Sequence, residues 1–381
     1  MQPIAIYIHI PFCAKHCAYC DFNTYVEQRI SAIVPETVDA ICADVRQTAE
    51  RVAPGMQAQT VFFGGGTPTF LSGSQLAQIL GAVREAFGAA EDAEISAEAN
   101  PGASDAAQFR EMRDAGFNRL SIGVQSFDDA VLQSLDRFHT AREAEEAVRA
   151  ARSAGFDNLS LDLMFRLPGQ DRAAWSVSLE RAAAIGTEHL SLYSLTLEPG
   201  TRFERLAAGG RLVLPDEETE LAMYEEAVSR LADAGFEHYE VSNFARPGRR
   251  CRHNMVYWRN GEYLGFGPGA VSYLAGRRWR REPLPSRYVR KMRAGEELAV
   301  QSEHLDPAAA LGETIMLGLR LREGISLAGL RERFGIDVLD HYADEIRRLS
   351  ADGLMERNGD RLRLTHSGLL VGDSVCAEFL A

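Results

Sequence analysis

The amino-acid sequence predicts an α/β fold in which about six strand–helix units form a partial barrel or a strongly curved open sheet. Six short segments alternate their side chains with the period of two that is typical of β-strands. Stretches rich in Ala, Arg and Glu, which have helical composition, separate these segments. Three helix-to-strand connections read alike: "AGFNRLS", "AGFDNLS" and "AIGTEHLS". A repeated unit of this kind implies parallel strands and right-handed crossovers.

Each predicted element has its own signal. A glycine closes the helix in each repeated connection, as is common at helix C-termini. A fourth "AGF" leads into "HYEVSNF", which is predicted as an edge strand. The six predicted strands are residues 4–10, 60–63, 94–100, 119–125, 158–164 and 189–195. The clearest helices between them are 72–87, 104–115, 141–154 and 171–184.

After residue 300 the alternation of strands and helices gives way to a different order of predicted elements. Three helices are predicted, followed by a hairpin at 354–365 with a type I′ turn at Asn358-Gly359, and a last helix. This order suggests a winged-helix-like α+β module. Its net charge of −5 argues against DNA binding, so a lid or docking role is expected. The predicted organisation is a barrel at 1–245, a basic and aromatic-rich connecting segment at 246–300, and this module at 301–381. The three helices are 308–322, 326–333 and 339–351.

Composition narrows the class of protein. The 381 residues carry a net charge of −13, so nucleic acid is not an expected partner. No apolar run approaches the roughly 18 residues of a membrane span, and no signal peptide is recognised. Six cysteines are too few for a disulfide framework. A cytoplasmic location with reduced thiols is therefore expected.

Three cysteines stand close together directly after the first predicted strand. Cys13, Cys17 and Cys20 have the spacing C-x3-C-x2-C. Structural zinc usually needs four ligands, and the nearby His9 and His16 are poorly placed to supply the fourth. An iron–sulfur cube usually takes four thiolates, so three would leave one iron open to a ligand that is not protein. The alternative is three unrelated buried cysteines.

Polar side chains lie near the carboxyl ends of three predicted strands. They are Glu98, Gln125 and Asp162. In α/β barrels this rim binds ligands. The alternative is that these residues only solvate the strand ends.

The cysteine spacing, together with "GGGTP" after the second strand, resembles the radical S-adenosylmethionine (SAM) superfamily. Within it, "YIHIPFC" and "FFGGGTPT" resemble the oxygen-independent coproporphyrinogen III oxidase-like group, and the resemblance covers the whole chain. It implies a partial (β/α)6 barrel that holds a [4Fe–4S] cluster. It also implies that the amino and carboxylate groups of SAM chelate the open iron.

The resemblance also implies which residues contact SAM. Glu98 would accept from the ammonium group, and Gln125 and Asp162 would contact the ribose. Arg137 would pair with the carboxylate through its planar guanidinium. Two of the remaining expected contacts are glycines, which lack a Cβ and so let backbone groups approach SAM closely. The remaining expected contacts are Tyr7, Tyr19, Gly65, Gly66 and Thr67.

Two differences from the oxidase branch help to decide which branch of this group the sequence resembles. The oxidase branch carries a further cysteine where this sequence has Phe22, and it has a longer segment before the first cluster cysteine. The stretch H-N-x-x-Y-W at 253–258 resembles the heme chaperone branch, with His253 as a candidate heme ligand. The alternative for His253 is a hydrogen-bonded scaffold residue in a loop that packs against the barrel.

Residues 246–293 reverse the charge of the chain, with twelve arginines and one lysine against two glutamates. Such a patch could bind the carboxylates of heme or an anionic membrane surface. Charge reversal at several of Arg277, Arg278, Arg280 and Arg281 is expected to weaken one of these associations. The alternative is a solvated basic face.

The expected function is that of a heme chaperone, which binds heme and transfers it to an acceptor protein. The first alternative is a radical SAM enzyme that decarboxylates coproporphyrinogen III to protoporphyrinogen IX. A heme-degrading radical methylase is a second alternative, for which the sequence offers no additional residues. No residue is assigned a catalytic role.

Overall fold

The computed structural model describes residues 2–26, 30–52, 54–102 and 106–380. Six strands lie side by side in chain order, and each pairs in parallel with the next. The predicted α/β partial barrel with six strand–helix units is confirmed. The strands are β1 (Gln2–Ile10), β2 (Met56–Gly65), β3 (Ala89–Ala99), β4 (Arg119–Gln125), β5 (Leu159–Phe165) and β6 (His189–Ser194). Their connecting helices are α1 (Ile30–Val52), α2 (Gly73–Phe87), α3 (Ala106–Ala115), α4 (Asp129–Ser134), α5 (Ala141–Ser153) and α6 (Arg172–Ile185).

Local sequence explains where these helices begin and end. The Ser72 hydroxyl accepts from Gln75 N while the Gln75 side chain accepts from Ser72 N, so a capping box starts α2. The predicted closing glycine of α6, Gly186, has a φ of 75°. This left-handed conformation favours glycine, which has no Cβ to clash with the backbone.

Further strands extend both edges of the sheet. The predicted edge strand "HYEVSNF" is a hairpin of two strands beside β6. The segment predicted as a connector, 246–300, supplies strands beside β1 and continues the same sheet. The limits of this segment as a separate unit, 246–300, stay a prediction. The added elements are α7 (Arg202–Ala208), α8 (Glu217–Asp233), β7 (Glu237–Glu240), β8 (Asn243–Ala245), α9 (Arg252–Trp258), β9 (Tyr263–Phe266), β10 (Val271–Leu274), β11 (Arg277–Arg281), α10 (Pro285–Ala294) and β12 (Ala299–His304).

The C-terminal module has the helix and strand order of a winged helix and a hydrophobic core of its own. Its first helix ends at Gly318 rather than at the predicted residue 322. The type I′ prediction at Asn358-Gly359 is wrong. The two-residue loop is Gly359-Asp360, and only Gly359 has a positive φ, whereas type I′ needs two such residues. The module comprises α11 (Pro307–Gly318), β13 (Ile325–Ser326), α12 (Leu327–Phe334), α13 (Val338–His341), α14 (Ala343–Ala351), β14 (Met355–Asn358), β15 (Arg361–Leu364), α15 (His366–Leu370) and α16 (Gly372–Ala377).

The alternation along β1 shows how the barrel separates its core from its interior. Ile4, Ile6, Ile8 and Ile10 are buried in the main hydrophobic core. The opposite face of the strand carries Tyr7, which lines a polar interior chamber. Within the described ranges, no helix is long and apolar enough to cross a membrane.

Candidate functional site

Backbone hydrogen bonds hold the loop after β1 against the turn after β2. Gly66 N donates to Ile10 O and Thr67 N donates to Phe12 O, each at 2.8 Å. A Cβ at position 66 would lie 2.7 Å from Phe12 O and 3.0 Å from Cys13 Sγ. Glycine therefore allows two backbone segments to meet, which places the first cysteine directly beside the turn.

The three cysteines line one cleft of about 420 Å³ at the carboxyl ends of the parallel strands. They are half-buried free thiols. Among the residues that the structure describes, no three Cys, His, Asp or Glu side chains form a group that could hold a single metal ion. Each cysteine of an iron–sulfur cube binds a different iron, so three thiols would hold three irons and leave the fourth to a ligand that is not protein.

The cleft collects most of the predicted SAM residues, although the individual SAM contacts stay predictions. Tyr7 lies deeper, in an adjoining chamber of about 220 Å³ that shares Glu98 and Asp162 with the cleft. Eight of the nine predicted residues line the cleft itself: Tyr19, Gly65, Gly66, Thr67, Glu98, Gln125, Arg137 and Asp162.

Arg137 is held by a partner that sequence reasoning missed. Its Nη2 donates to Asn100 Oδ1 and to Gly123 O, both at 2.6 Å, and Asn100 Nδ2 donates to Thr67 Oγ1 at 2.8 Å. Arg137 Nε is buried without a hydrogen-bond partner in the described part of the chain. A buried donor of this kind fits a site that a ligand completes. The period of two from Glu98 was the signal that could have identified Asn100.

Arg137 also links this network to the cluster loop. Its Nη1 lies 3.7 Å from Cys17 Sγ, and Thr67 Oγ1 donates to Cys13 Sγ at 3.5 Å. The residues predicted for SAM therefore contact the residues predicted for the cluster. This donor set fits a [4Fe–4S] cube with a small zwitterionic ligand beside it.

Glu98 is a buried carboxyl in the wall between the cleft and the chamber. Burial, with a smaller contribution from Asp162, raises the pKa of Glu98 to about 8, although Gly65 N donates to its Oε2 at 3.2 Å. Burial also raises the pKa of Asp162, whose carboxylate accepts from Ser121 Oγ at 2.9 Å. Arg119 in the same chamber lowers the pKa of both carboxyls, but neither forms a salt bridge within the described residues. The ammonium group of SAM would therefore stabilise their charged forms.

We expect Glu98 to make the ligand-free chain less stable as pH rises. Its pKa is about 8 in the folded chain against 4.5 for an ordinary glutamate, so the folded state keeps a proton that the unfolded state releases between these values. Deprotonation of Glu98 should therefore lower the free energy of unfolding by at most roughly 1.4 kcal/mol per pH unit between these two pKa values. Urea unfolding of the parent and of Glu98→Gln across the window measures the difference, because the variant should lack this slope.

Glu91→Gln is the matched control, since Glu91 is an exposed glutamate near the start of the same strand. It should keep the slope of the parent chain. A Glu98→Gln variant with the parent's slope would show that Glu98 is ionised in the folded chain, and would contradict the prediction.

His253 lies on α9 in the interior of the barrel. Glu94 accepts from the N–H groups of Arg252 and His253, each at 3.0 Å, and so anchors the start of this helix. The His253 ring is hydrogen-bonded to Thr60 Oγ1 at 2.8 Å and to Tyr257 OH at 3.0 Å. Burial lowers the pKa of His253 to about 3, so the ring is neutral.

Both ring nitrogens of His253 are thus occupied, and its side chain is only 1% exposed. Ligation of heme iron would require the release of one hydrogen bond and a widening of the chamber of about 220 Å³ that His253 lines. The geometry matches the scaffold alternative, and the heme-ligand role of His253 stays a prediction.

Most of the basic segment 246–293 is neutralised by acidic residues elsewhere in the chain. Arg278 pairs with Glu313 and Glu303, and Arg281 pairs with Asp44. Reversing either arginine would therefore disrupt packing, whatever its effect on a ligand. Within the described part of the segment, the arginines without an ion pair are Arg246, Arg277, Arg280 and Arg287.

A partial (β/α)6 barrel with a three-cysteine loop over a glycine turn defines a radical SAM protein. Residues 7–182 match the Radical SAM superfamily, and residues 305–371 match the HemN C-terminal domain. The solved structure of coproporphyrinogen III oxidase (HemN) from Escherichia coli superposes with a TM-score of 0.86 over 99% of this chain and 90% of that chain. At 24% identity this similarity shows the shared fold.

Similarity in sequence identifies the family. The chain is 39% identical to the heme chaperone HemW of Mycobacterium tuberculosis, over all of this chain and 95% of that protein. It is 37% identical to the heme chaperone HemW of Bacillus subtilis, over 98% of each chain. It is 36% identical to that of Escherichia coli K12, over 100% of this chain and 99% of that protein. The chain belongs to the HemW family.

Proposed function

We propose that this protein is a heme chaperone, which binds heme and transfers it to an acceptor protein. The observation that carries the proposal is 39% identity, over the whole chain, to a protein named heme chaperone HemW. Phe22 agrees with it. This side chain stands where the oxidase branch is expected to carry an additional cysteine, and it is 65% exposed beside the cluster loop.

The cofactors of the superfamily, a [4Fe–4S] cluster and SAM, fit the residues that line the cleft. Cys13, Cys17 and Cys20 would hold the cluster, with one iron left for SAM. The bound pair supplies one-electron reducing chemistry at SAM. The chain itself would orient SAM, through Glu98 for the ammonium group and, for the carboxylate, through the Nε of Arg137, which has no hydrogen-bond partner among the described residues. Gln125 and Asp162 would contact the ribose, with Tyr7, Tyr19 and the turn Gly65–Thr67 completing the site.

The alternative function is the conversion of coproporphyrinogen III to protoporphyrinogen IX. The shared fold with HemN permits it, because a barrel of this kind supports many activities. Phe22 argues against it, since a phenyl group cannot replace a thiol as a ligand or as a hydrogen-bonding group. The cluster loop of this chain therefore does not support the conversion of coproporphyrinogen III.

We expect the anaerobically reconstituted full-length chain to bind about one heme and to release it to apomyoglobin, with no turnover of coproporphyrinogen III. Heme absorbance measures uptake and transfer, and chromatography of the porphyrins measures turnover in the presence of SAM and reductant. Rapid formation of protoporphyrinogen IX would contradict the chaperone proposal. An absence of heme uptake by the parent chain would contradict it as well.

Contact with an anionic membrane through residues 246–293 and a cytoplasmic location stay predictions. Each unpaired cation near an anionic surface contributes about 1 kcal/mol to binding. Because ion pairs within the chain already neutralise most of the segment, only Arg246, Arg277, Arg280 and Arg287 remain for such contact within its described residues. Any membrane binding should therefore be weak and sensitive to salt.

A further inference from the structure

We propose that heme binds in a groove on the outer face of the sheet, with His304 as the iron ligand and Arg277 as a partner for the heme carboxylates. This inference rests on the proposed function. The groove has a volume of about 690 Å³ and lies between α1, α10 and the strands β10–β12. Sites for small molecules occupy roughly 300–1,000 Å³, so the groove is large enough for a cofactor-sized ligand.

His304 has an accessible imidazole that could bind heme iron, whereas the ring of His253 is buried. It pairs with Arg277 across β11 and β12, so both side chains point to the same face of the sheet, and both line the groove. His304 is exposed, and within the described residues it forms no side-chain hydrogen bond or ion pair. A neutral imidazole with a free nitrogen is a common iron ligand in proteins.

Arg277 supplies the matching charge for a carboxylate. It forms no ion pair among the described residues, and its buried Nε has no hydrogen-bond partner. Its guanidinium lies over the Trp279 ring at 5.4 Å, which holds the group in place beside His304. Arg51, also without an ion pair in the described chain, lines the same groove. Guanidinium groups bind carboxylates through two parallel hydrogen bonds, and heme presents two carboxylates.

The lining also contains the carboxylates of Glu296, which pairs with Arg290 at 3.1 Å, and of Glu297, which forms no ion pair within the described residues. Arg281, the third arginine in the lining, pairs with Asp44 at 2.8 Å, and Tyr288 OH donates to Asp44 at 2.7 Å. This buried ion pair is therefore satisfied within the protein. The apolar part of the lining, against which a macrocycle can pack, is Val52, Leu274, Trp279, Met292 and Leu298.

The groove and the SAM cleft lie toward opposite ends of the barrel. Helix α1 begins after the cluster loop and ends at Val52, beside the groove, before the chain enters β2. Heme in the groove would thus be kept away from the reducing chemistry of the cleft. This separation suits a protein that delivers heme intact.

The test is a heme titration of the reconstituted full-length chain, followed by absorbance and electron paramagnetic resonance. We expect His304→Ala to weaken heme binding at least tenfold and to lose the signal of an imidazole ligand, which added imidazole should restore. Arg277→Ala should weaken binding severalfold with the ligand signal intact. His366→Ala and Arg287→Ala are matched controls, because both residues are exposed and lie outside the groove, and both should bind heme as the parent does.

The outcomes separate this inference from the proposed function. Heme binding that is unchanged in His304→Ala overturns the groove as the site and leaves the chaperone function intact. Loss of heme binding in His253→Ala, with heme binding intact in His304→Ala, also overturns the groove as the site and favours a site in the barrel interior. Absence of heme binding by the parent chain would remove the proposed function itself.

Discussion

Replacing Cys17 with alanine should remove the iron–sulfur cluster from the chain. Three cysteines are the only ones that line the cleft in the described part of the chain, so the loss of one leaves a cube with two protein ligands. Cys17 Sγ also lies 3.7 Å from Arg137 Nη1, so the same change alters the surroundings of the predicted SAM carboxylate. After anaerobic reconstitution, iron and sulfide should fall from about four of each per chain to nearly none, and SAM binding should be lost with them.

Cys42→Ala provides the matched control. Cys42 is a buried thiol of α1 in the main hydrophobic core, and its Sγ contacts Gln78 O at 3.8 Å. The chemical change is the same as in Cys17→Ala, but the iron content should stay that of the parent. Full iron content in Cys17→Ala would contradict the cluster assignment. Equal loss of iron in both variants would attribute the effect to folding.

The sequence predicted the central strands well because their environment is simple. The segment 119–125 alternates along its whole length and corresponds to β4 residue for residue. Strand β11 was missed because "RRWRR" has the composition of a charged surface. Two of its four arginines pair with residues distant in sequence, Arg278 with Glu303 and Glu313 and Arg281 with Asp44, so it becomes recognisable as a strand only beside these partners.

The site shows the same division between local and long-range information. Cys13 and Gly66 were identified from short motifs, because the loop and turn that hold them are local in sequence. Asn100 was missed because its role arises from a contact with Arg137, 37 positions later. His253 illustrates the opposite case. Its motif suggested a candidate heme ligand, with a hydrogen-bonded scaffold residue as the alternative. Only the packing of α9 against Glu94 and Thr60 reveals a buried ring with both nitrogens hydrogen-bonded.

Replacing Gly66 with alanine should weaken SAM binding. The new Cβ would lie 2.7 Å from Phe12 O, the carbonyl that accepts from Thr67 N, and 3.0 Å from Cys13 Sγ. Relief of this overlap must move either the turn or the first cluster cysteine. Overpacking of this kind costs roughly 1–3 kcal/mol, which corresponds to about a 5- to 150-fold loss of SAM affinity.

Gly81→Ala tests whether that loss is specific to the turn. A Cβ at Gly81 would meet nothing within 4 Å, and alanine is the better helix former by about 0.5–1 kcal/mol. Calorimetric titration of the reconstituted chains with SAM should therefore give the parent affinity for Gly81→Ala and a much lower one for Gly66→Ala. If both variants bind SAM as the parent does, the turn after β2 does not shape the site. The contact between the two backbone segments would then serve only to close the barrel.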